Sequence, residues 1–178
     1  ENDNDVHFLT SYRNYDEEIV EKEIKRVLAK KGMQITYQIG AMIEVPRAAI
    51  LADELANECD FFSFGTNDLT QLTFGFSRDD AAKFLKDYYS KNILEHDPFM
   101  SLDTNGVGTL VKIATQMAKS IKPNISLGVC GEHAADEKSI EFFDKIGLSY
   151  ISASSYRIPV AKLAAAKAAL ANNRDLGV

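Results

Sequence analysis

Five times along the 178-residue chain, a short apolar run gives way to a stretch whose apolar residues fall at helical spacing. The runs cover residues 6–9, 34–43, 61–64, 126–129 and 149–151. Between and after them lie the predicted helices. Residues 16–30 carry Ile19, Val20, Ile24, Val27 and Leu28 on one face, and a helix opened by Pro46 runs through Ala48, Ala49, Ala52 and Leu55. Further helices are predicted at residues 69–74, 106–120, 136–146 and, rich in alanine, 156–172. Such alternation demands parallel strands joined by helical crossovers, because two parallel neighbours cannot be linked by a tight hairpin. It leaves two candidates, a doubly wound sheet or part of a (β/α)8 barrel. A complete barrel needs roughly 200 residues or more, so five units would form an incomplete one. Residues 76–105 are polar and aromatic and too long for a plain connection. They are expected to hold short helical pieces and to serve as a lid or binding loop.

Composition narrows the partners. The 46% hydrophobic and 26% charged content is that of an ordinary globular chain. A net charge of −6 disfavours nucleic acid and anionic membrane surfaces. No apolar run approaches the ~20 residues of a membrane-spanning helix. Cys59 and Cys130 are too few for a disulfide framework, the first residues are acidic rather than signal-like, and the C-terminus carries no peroxisomal address. A cytoplasmic chain is expected.

Ligands of α/β folds bind at the carboxyl ends of strands, and three predicted strand ends carry polar groups there. In Phe61-Phe62-Ser63-Phe64-Gly65-Thr66-Asn67-Asp68, a buried strand meets a glycine that admits close backbone approach, then a hydroxyl, an amide and a carboxylate. A helix cap accounts for one such residue, not three. Glu44 ends the second strand, where the competing reading is a carboxylate favoured by a helix N-terminus. Cys130 is bracketed by Gly128 and Gly131 and followed by Glu132 and His133. That setting suits an exposed, tuned thiol, although a strand-end cysteine is more often inert packing. His133 can be a base, a metal ligand or a structural hydrogen-bonding group; His7 and His96 read as surface or loop residues, and Cys59 as packing at a helix end. Glu44 and Asp68 end successive strands, and two carboxylates with waters and ligand oxygens suit Mg2+. Zinc spacing, a P-loop and a dinucleotide fingerprint are all missing from the sequence.

Residues 40–49 (Gly-Ala-Met-Ile-Glu-Val-Pro-Arg-Ala-Ala) and 61–71 (Phe-Phe-Ser-Phe-Gly-Thr-Asn-Asp-Leu-Thr-Gln) resemble the C-terminal domain of the phosphoenolpyruvate-utilising enzymes. Within that family, residues 73–80, Asp97-Pro98-Phe99 and Cys130-Gly131-Glu132-His133 look most like the pyruvate, phosphate dikinase branch, with phosphoenolpyruvate synthase as the alternative. The resemblance implies a (β/α)8 barrel, here its C-terminal part. Residues 1–178 would be one phosphoenolpyruvate/pyruvate-binding domain, with the family's ATP-grasp and phosphohistidine domains absent. It implies Mg2+ on Glu44 and Asp68, substrate on Glu44, Gly65, Thr66, Asn67 and Asp68, and Cys130 as general acid–base at C3 of the pyruvate enolate. The phosphoryl group would be exchanged with a phosphohistidine on another domain, so the chain alone is expected to lack turnover. The family's arginine clamp lies on earlier strands, and Arg47, Arg78 and Arg157 do not replace it. Open strand edges imply cover by a second copy, hence a homodimer, or by the chain's own N-terminal segment. A non-catalytic dimerisation module and a Mg2+-dependent lyase on a pyruvate enolate are the competing readings.

Overall fold

The structure, a computed structural model, describes residues 6–11 and 17–172. The expectations for the first five residues, Asp16 and the C-terminal tetrapeptide lie outside them. Five strands, β1 (Val6–Ser11), β2 (Tyr37–Ile43), β3 (Phe61–Gly65), β4 (Ser126–Cys130) and β5 (Tyr150–Ser152), form one sheet. All pair in parallel, in the order β1-β2-β3-β4-β5. That order decides between the two candidate folds. A doubly wound sheet reverses its strand order at a switch point, whereas a barrel adds each strand beside the last. Right-handed crossovers that never reverse direction keep the helices on one face. The sheet is an arc of a (β/α) barrel.

Side-chain alternation agrees with one helix-covered face. Ile39, Ala41 and Ile43 of β2, Phe62 and Phe64 of β3, and Leu127 and Val129 of β4 are all buried. From Ala41 onward they belong to one core with alanines of α2 (Pro46–Ile50) and α3 (Ala52–Glu58), and with Val107, Val111, Ala114 and Ala118 of α6 (Val107–Ile121). Burying each phenylalanine contributes roughly 1.5–3 kcal/mol. The opposite, concave face carries Gly40 and Met42, then Phe61, Ser63 and Gly65, then Gly128 and Cys130, then Tyr150 and Ser152. Two of its glycines are slots for rings: a Cβ on Gly40 would stand 2.5 Å from the Phe61 ring, and one on Gly128 would collide with Tyr150.

The remaining elements refine the sequence expectations. α1 (Glu17–Lys31) buries only Ile24, with Val20 and Leu28 half-buried; Ile19 and Val27 are exposed. α4 (Thr66–Phe74) begins three residues earlier than its apolar pattern. His7 lies inside a strand, and Cys59 is fully buried at the end of α3, as packing requires. The segment expected to be a lid contains a thirteen-residue helix, α5 (Arg78–Ser90), with its own cluster of Ala81, Leu85 and Phe99. Its second half is tied down to α7 (Glu137–Lys145) and the N-terminus of α6. The Ser101 hydroxyl donates to Asp136, the Leu102 amide donates to the Ser139 hydroxyl at 3.0 Å, and Asp103 accepts from the Gly106 amide. α8 (Ile158–Ala171) packs on α7 and closes the described chain.

Candidate active site

Register brings the predicted groups together. Gly65 at the end of β3 pairs with Cys130 at the end of β4, and Glu44 follows the last residue of β2. A Cβ on Gly65 would stand 2.9 Å from the Glu44 Cβ and 3.0 Å from the Met42 sulfur. Only glycine lets the glutamate lean over the neighbouring strand there. Beyond Gly65, the first turn of α4 carries Thr66, Asn67 and Asp68, so three backbone N–H groups have no intrahelical partner. A helix start of this kind favours anionic oxygens.

Asn67 is oriented from the adjacent strand. Its carbonyl oxygen accepts the Glu132 amide at 3.3 Å. The NH2 group is therefore the side-chain donor left for a ligand, and it suits phosphate or carboxylate oxygens. Gly131 makes this packing possible. Its φ of 108° is a glycine conformation, and a Cβ there would press on the Asn67 amide at 3.0–3.2 Å.

Thr66 behaves differently from the sequence expectation of a ligand-facing hydroxyl. It is fully buried, and its oxygen lies 3.1 Å from the Cys130 carbonyl and 2.8 Å from His133 Nδ1. What Thr66 offers a ligand is its backbone N–H. His133, also fully buried, donates from Nε2 to the Pro98 carbonyl at 2.8 Å. Its role is a structural hydrogen bond, one of the three readings left open above.

Cys130 is half-buried, and its thiol donates to the Phe64 carbonyl at 3.6 Å. Burial pushes the thiol pKa up from its ordinary 9.0; a hydrogen bond with Ser63 draws it down, and the charges of Glu44 and Asp68 push it further up. Those charges mark the two carboxylates and the thiol as neighbours in one mouth. A thiol so placed keeps its proton at neutral pH, which suits a proton donor rather than a reactive thiolate. Ser63 and Tyr150 form a layer beneath it. Ser63 is buried and hydrogen-bonds Tyr150 as well as Cys130, while the Tyr150 hydroxyl donates to the Phe62 carbonyl at 3.1 Å. Sequence reading missed both residues. The available signal was the two-residue period of β3, which sets Ser63 on the face opposite Phe62 and Phe64.

Among the described residues, no three His, Cys, Asp or Glu side chains converge as a metal cage. Glu44 is half-buried and Asp68 exposed. Two hard oxygen donors at an open mouth fit Mg2+, an ion that keeps several waters and takes ligand oxygens rather than a full protein shell. Arg47 is exposed on α2, and Arg157 lies in the turn before α8. No described helix is long and apolar enough to cross a membrane.

The chain matches the family described as "PEP-utilising enzyme, PEP-binding domain" over residues 9–170. It is 53% identical over 154 residues to pyruvate, phosphate dikinase 1, chloroplastic, of Arabidopsis thaliana, covering 86% of this chain and 16% of that protein. It is 54% identical over 155 residues to pyruvate, phosphate dikinase of Clostridium symbiosum, covering 87% and 18%. It is 52% identical over 149 residues to pyruvate, phosphate dikinase 2 of Zea mays, covering 84% and 17%. The chain thus spans less than a fifth of the length of these relatives.

Proposed function

The chain belongs to the phosphoenolpyruvate-binding domain family of the phosphoenolpyruvate-utilising enzymes, and we propose that residues 1–178 form the pyruvate/phosphoenolpyruvate half-site of a pyruvate, phosphate dikinase. The whole reaction is ATP + phosphate + pyruvate to AMP + diphosphate + phosphoenolpyruvate. In this half-site a phosphoryl group passes between a phosphohistidine on another domain and the enolate oxygen of pyruvate. The observation that carries the reading is the row of Glu44, Gly65 and Cys130 across three adjacent strand ends, with the α4 N-terminus at its mouth.

In this reading the α4 N–H groups of Thr66, Asn67 and Asp68 and the Asn67 NH2 hold the phosphate or carboxylate oxygens. Gly65 leaves room for the ligand against the backbone. Glu44 and Asp68 hold Mg2+, which when bound supplies Lewis-acid stabilisation of negative charge on the substrate oxygen. Cys130 gives its proton to C3 when pyruvate forms and is left as thiolate; in the reverse direction the thiolate takes a C3 proton. The raised thiol pKa supports the donor role. Because the phosphohistidine and the nucleotide site belong to other domains, the chain alone binds ligand without turnover.

Calorimetry of the 178-residue chain with phosphoenolpyruvate and Mg2+ tests the assignment. Binding heat is expected for the wild type and only with Mg2+, and Asp68→Ala should weaken affinity at least about tenfold, the loss of one charge-assisted contact of roughly 1.5–3 kcal/mol. Equal heats for the two proteins would overturn the site and leave the non-catalytic module as the better reading.

A further inference from the structure

Among the residues whose side chains are described, His133 is the only imidazole, carboxyl or amine in the buried class, and the half-site chemistry above does not use it. Its surroundings show what it does. A carbonyl can only accept, so the Pro98 contact at 2.8 Å fixes the hydrogen on Nε2. Burial pushes the ring below its ordinary 6.5, against the Pro98 hydrogen bond and the charges of Asp136, Asp97 and Glu132. At neutral pH a ring pushed in that direction carries one hydrogen, the one fixed on Nε2, which leaves Nδ1 to accept. The hydroxyl 2.8 Å away, Thr66, supplies the hydrogen. That one hydrogen is shared with the Cys130 carbonyl, to which the hydroxyl also donates at 3.1 Å, so the contact is three-centred. One side chain thereby ties three segments: the loop at Pro98, the first residue of α4, and the end of β4.

We infer that His133 is a positioning residue, whose acceptor nitrogen holds the Thr66 hydroxyl and through it sets the spacing between the α4 N-terminus and the Cys130 end of β4. The consequence for binding rests on the reading of that gap as the ligand site; the consequence for the thiol does not. An apolar side chain of the same shape would fill the space and leave the Thr66 hydroxyl and the Pro98 carbonyl without this partner. Groups on facing strand ends must keep their spacing closely, since a displacement of about 1 Å can cost 10²-fold in rate.

The two ring nitrogens can be tested apart. His133→Asn keeps an acceptor near Nδ1 and loses the Pro98 bond, whereas His133→Gln keeps a donor toward Pro98 and loses the acceptor. The first readout is the rate of Cys130 alkylation by iodoacetamide, with buried Cys59 as the slow internal control. His133→Asn is expected within about twofold of wild type and His133→Gln to differ at least about tenfold, with weaker Mg2+-phosphoenolpyruvate binding by calorimetry. Alkylation that is unchanged or equally changed in both, with an equal fall in Tm, would overturn the inference and leave His133 as packing. Thr66→Val, which removes the hydroxyl and keeps the shape, carries the same test if either histidine variant fails to fold. It should change alkylation as His133→Gln does, and an unchanged rate would overturn the inference. A wild type that binds no phosphoenolpyruvate sinks the site reading alone, because alkylation still decides on His133.

Discussion

At the scale of single residues, the site is built from side chains whose second contacts matter more than their identity. Asn67 suits an anion because Glu132 occupies its carbonyl oxygen, and Thr66 is withdrawn from solvent because His133 and Cys130 share its hydroxyl. Cys130 shows the same logic electrostatically. Its pKa is raised first by burial, lowered by the Ser63 hydrogen bond, and raised again by Glu44 and Asp68. Alkylation followed against pH should give a midpoint above the ordinary 9.0 of a free thiol, since the reactive thiolate appears only as the proton leaves. Ser63→Ala removes the one contact that favours the thiolate, so the midpoint should climb further. Glu44→Gln removes a like charge, so it should fall. Two shifts in the same direction would contradict this account of the thiol.

At the scale of elements, what could be read from the sequence was local, and what could not was pairing. The strand periods at residues 61–64 and 126–129 and the helical period at 106–120 each match the observed β3, β4 and α6 to within one residue at either end. Whether they build a doubly wound sheet or a barrel arc was undecided, because both folds use the same buried strands and crossover helices. Only the order β1-β2-β3-β4-β5, a non-local property, separates them. The start of α4 was hidden for a related reason. Thr66, Asn67 and Asp68 have the composition of a cap, and their place inside the helix depends on strand β4 beside them. Ser63 was passed over among phenylalanines, and Tyr150 was invisible until β5 was paired with β4. That pairing makes its own prediction. Gly128→Ala puts a methyl group where the Tyr150 ring lies. The ring must move and its bond to the Phe62 carbonyl must break. A loss of about 1–3 kcal/mol is expected by denaturant unfolding. Adding Tyr150→Ala should make the pair strongly non-additive, because the clash disappears with the ring. Simple addition of the two losses would mean that the ring does not occupy that slot.

At the scale of the whole molecule, β1 and β5 are the outer strands of the sheet, and α8 beside β5 faces the wrong way for a free surface. Its contacts with the rest of the chain are made by alanines: Ala161, Ala164 and Ala168 are buried, and the first two pack with Ile140. Its largest apolar side chains point outward, with Val160 57%, Leu163 59% and Leu170 65% exposed, and Tyr156 just before it 78% exposed. These four recur at spacings of four, three and seven, one continuous stripe along a helix. Lys167 sits in the gap and is turned aside to Glu137 at 3.0 Å. A stripe of this kind can meet its own copy across a two-fold axis, where each residue faces an equivalent surface. We therefore propose that two chains associate through α8, a different contact from the strand-edge cover expected from the sequence. Light scattering behind size exclusion should give twice the 19.7 kDa chain mass. Leu163→Glu should return the monomer at the same concentration, because the new carboxylate would be desolvated at the centre of the stripe. The charge lies on a face that is solvent-exposed in the single chain, so the unfolding free energy of the variant should stay within about 0.5 kcal/mol of that of the wild-type monomer. A wild type that elutes as monomer would overturn the dimer, and a variant that stays dimeric would move the interface away from α8.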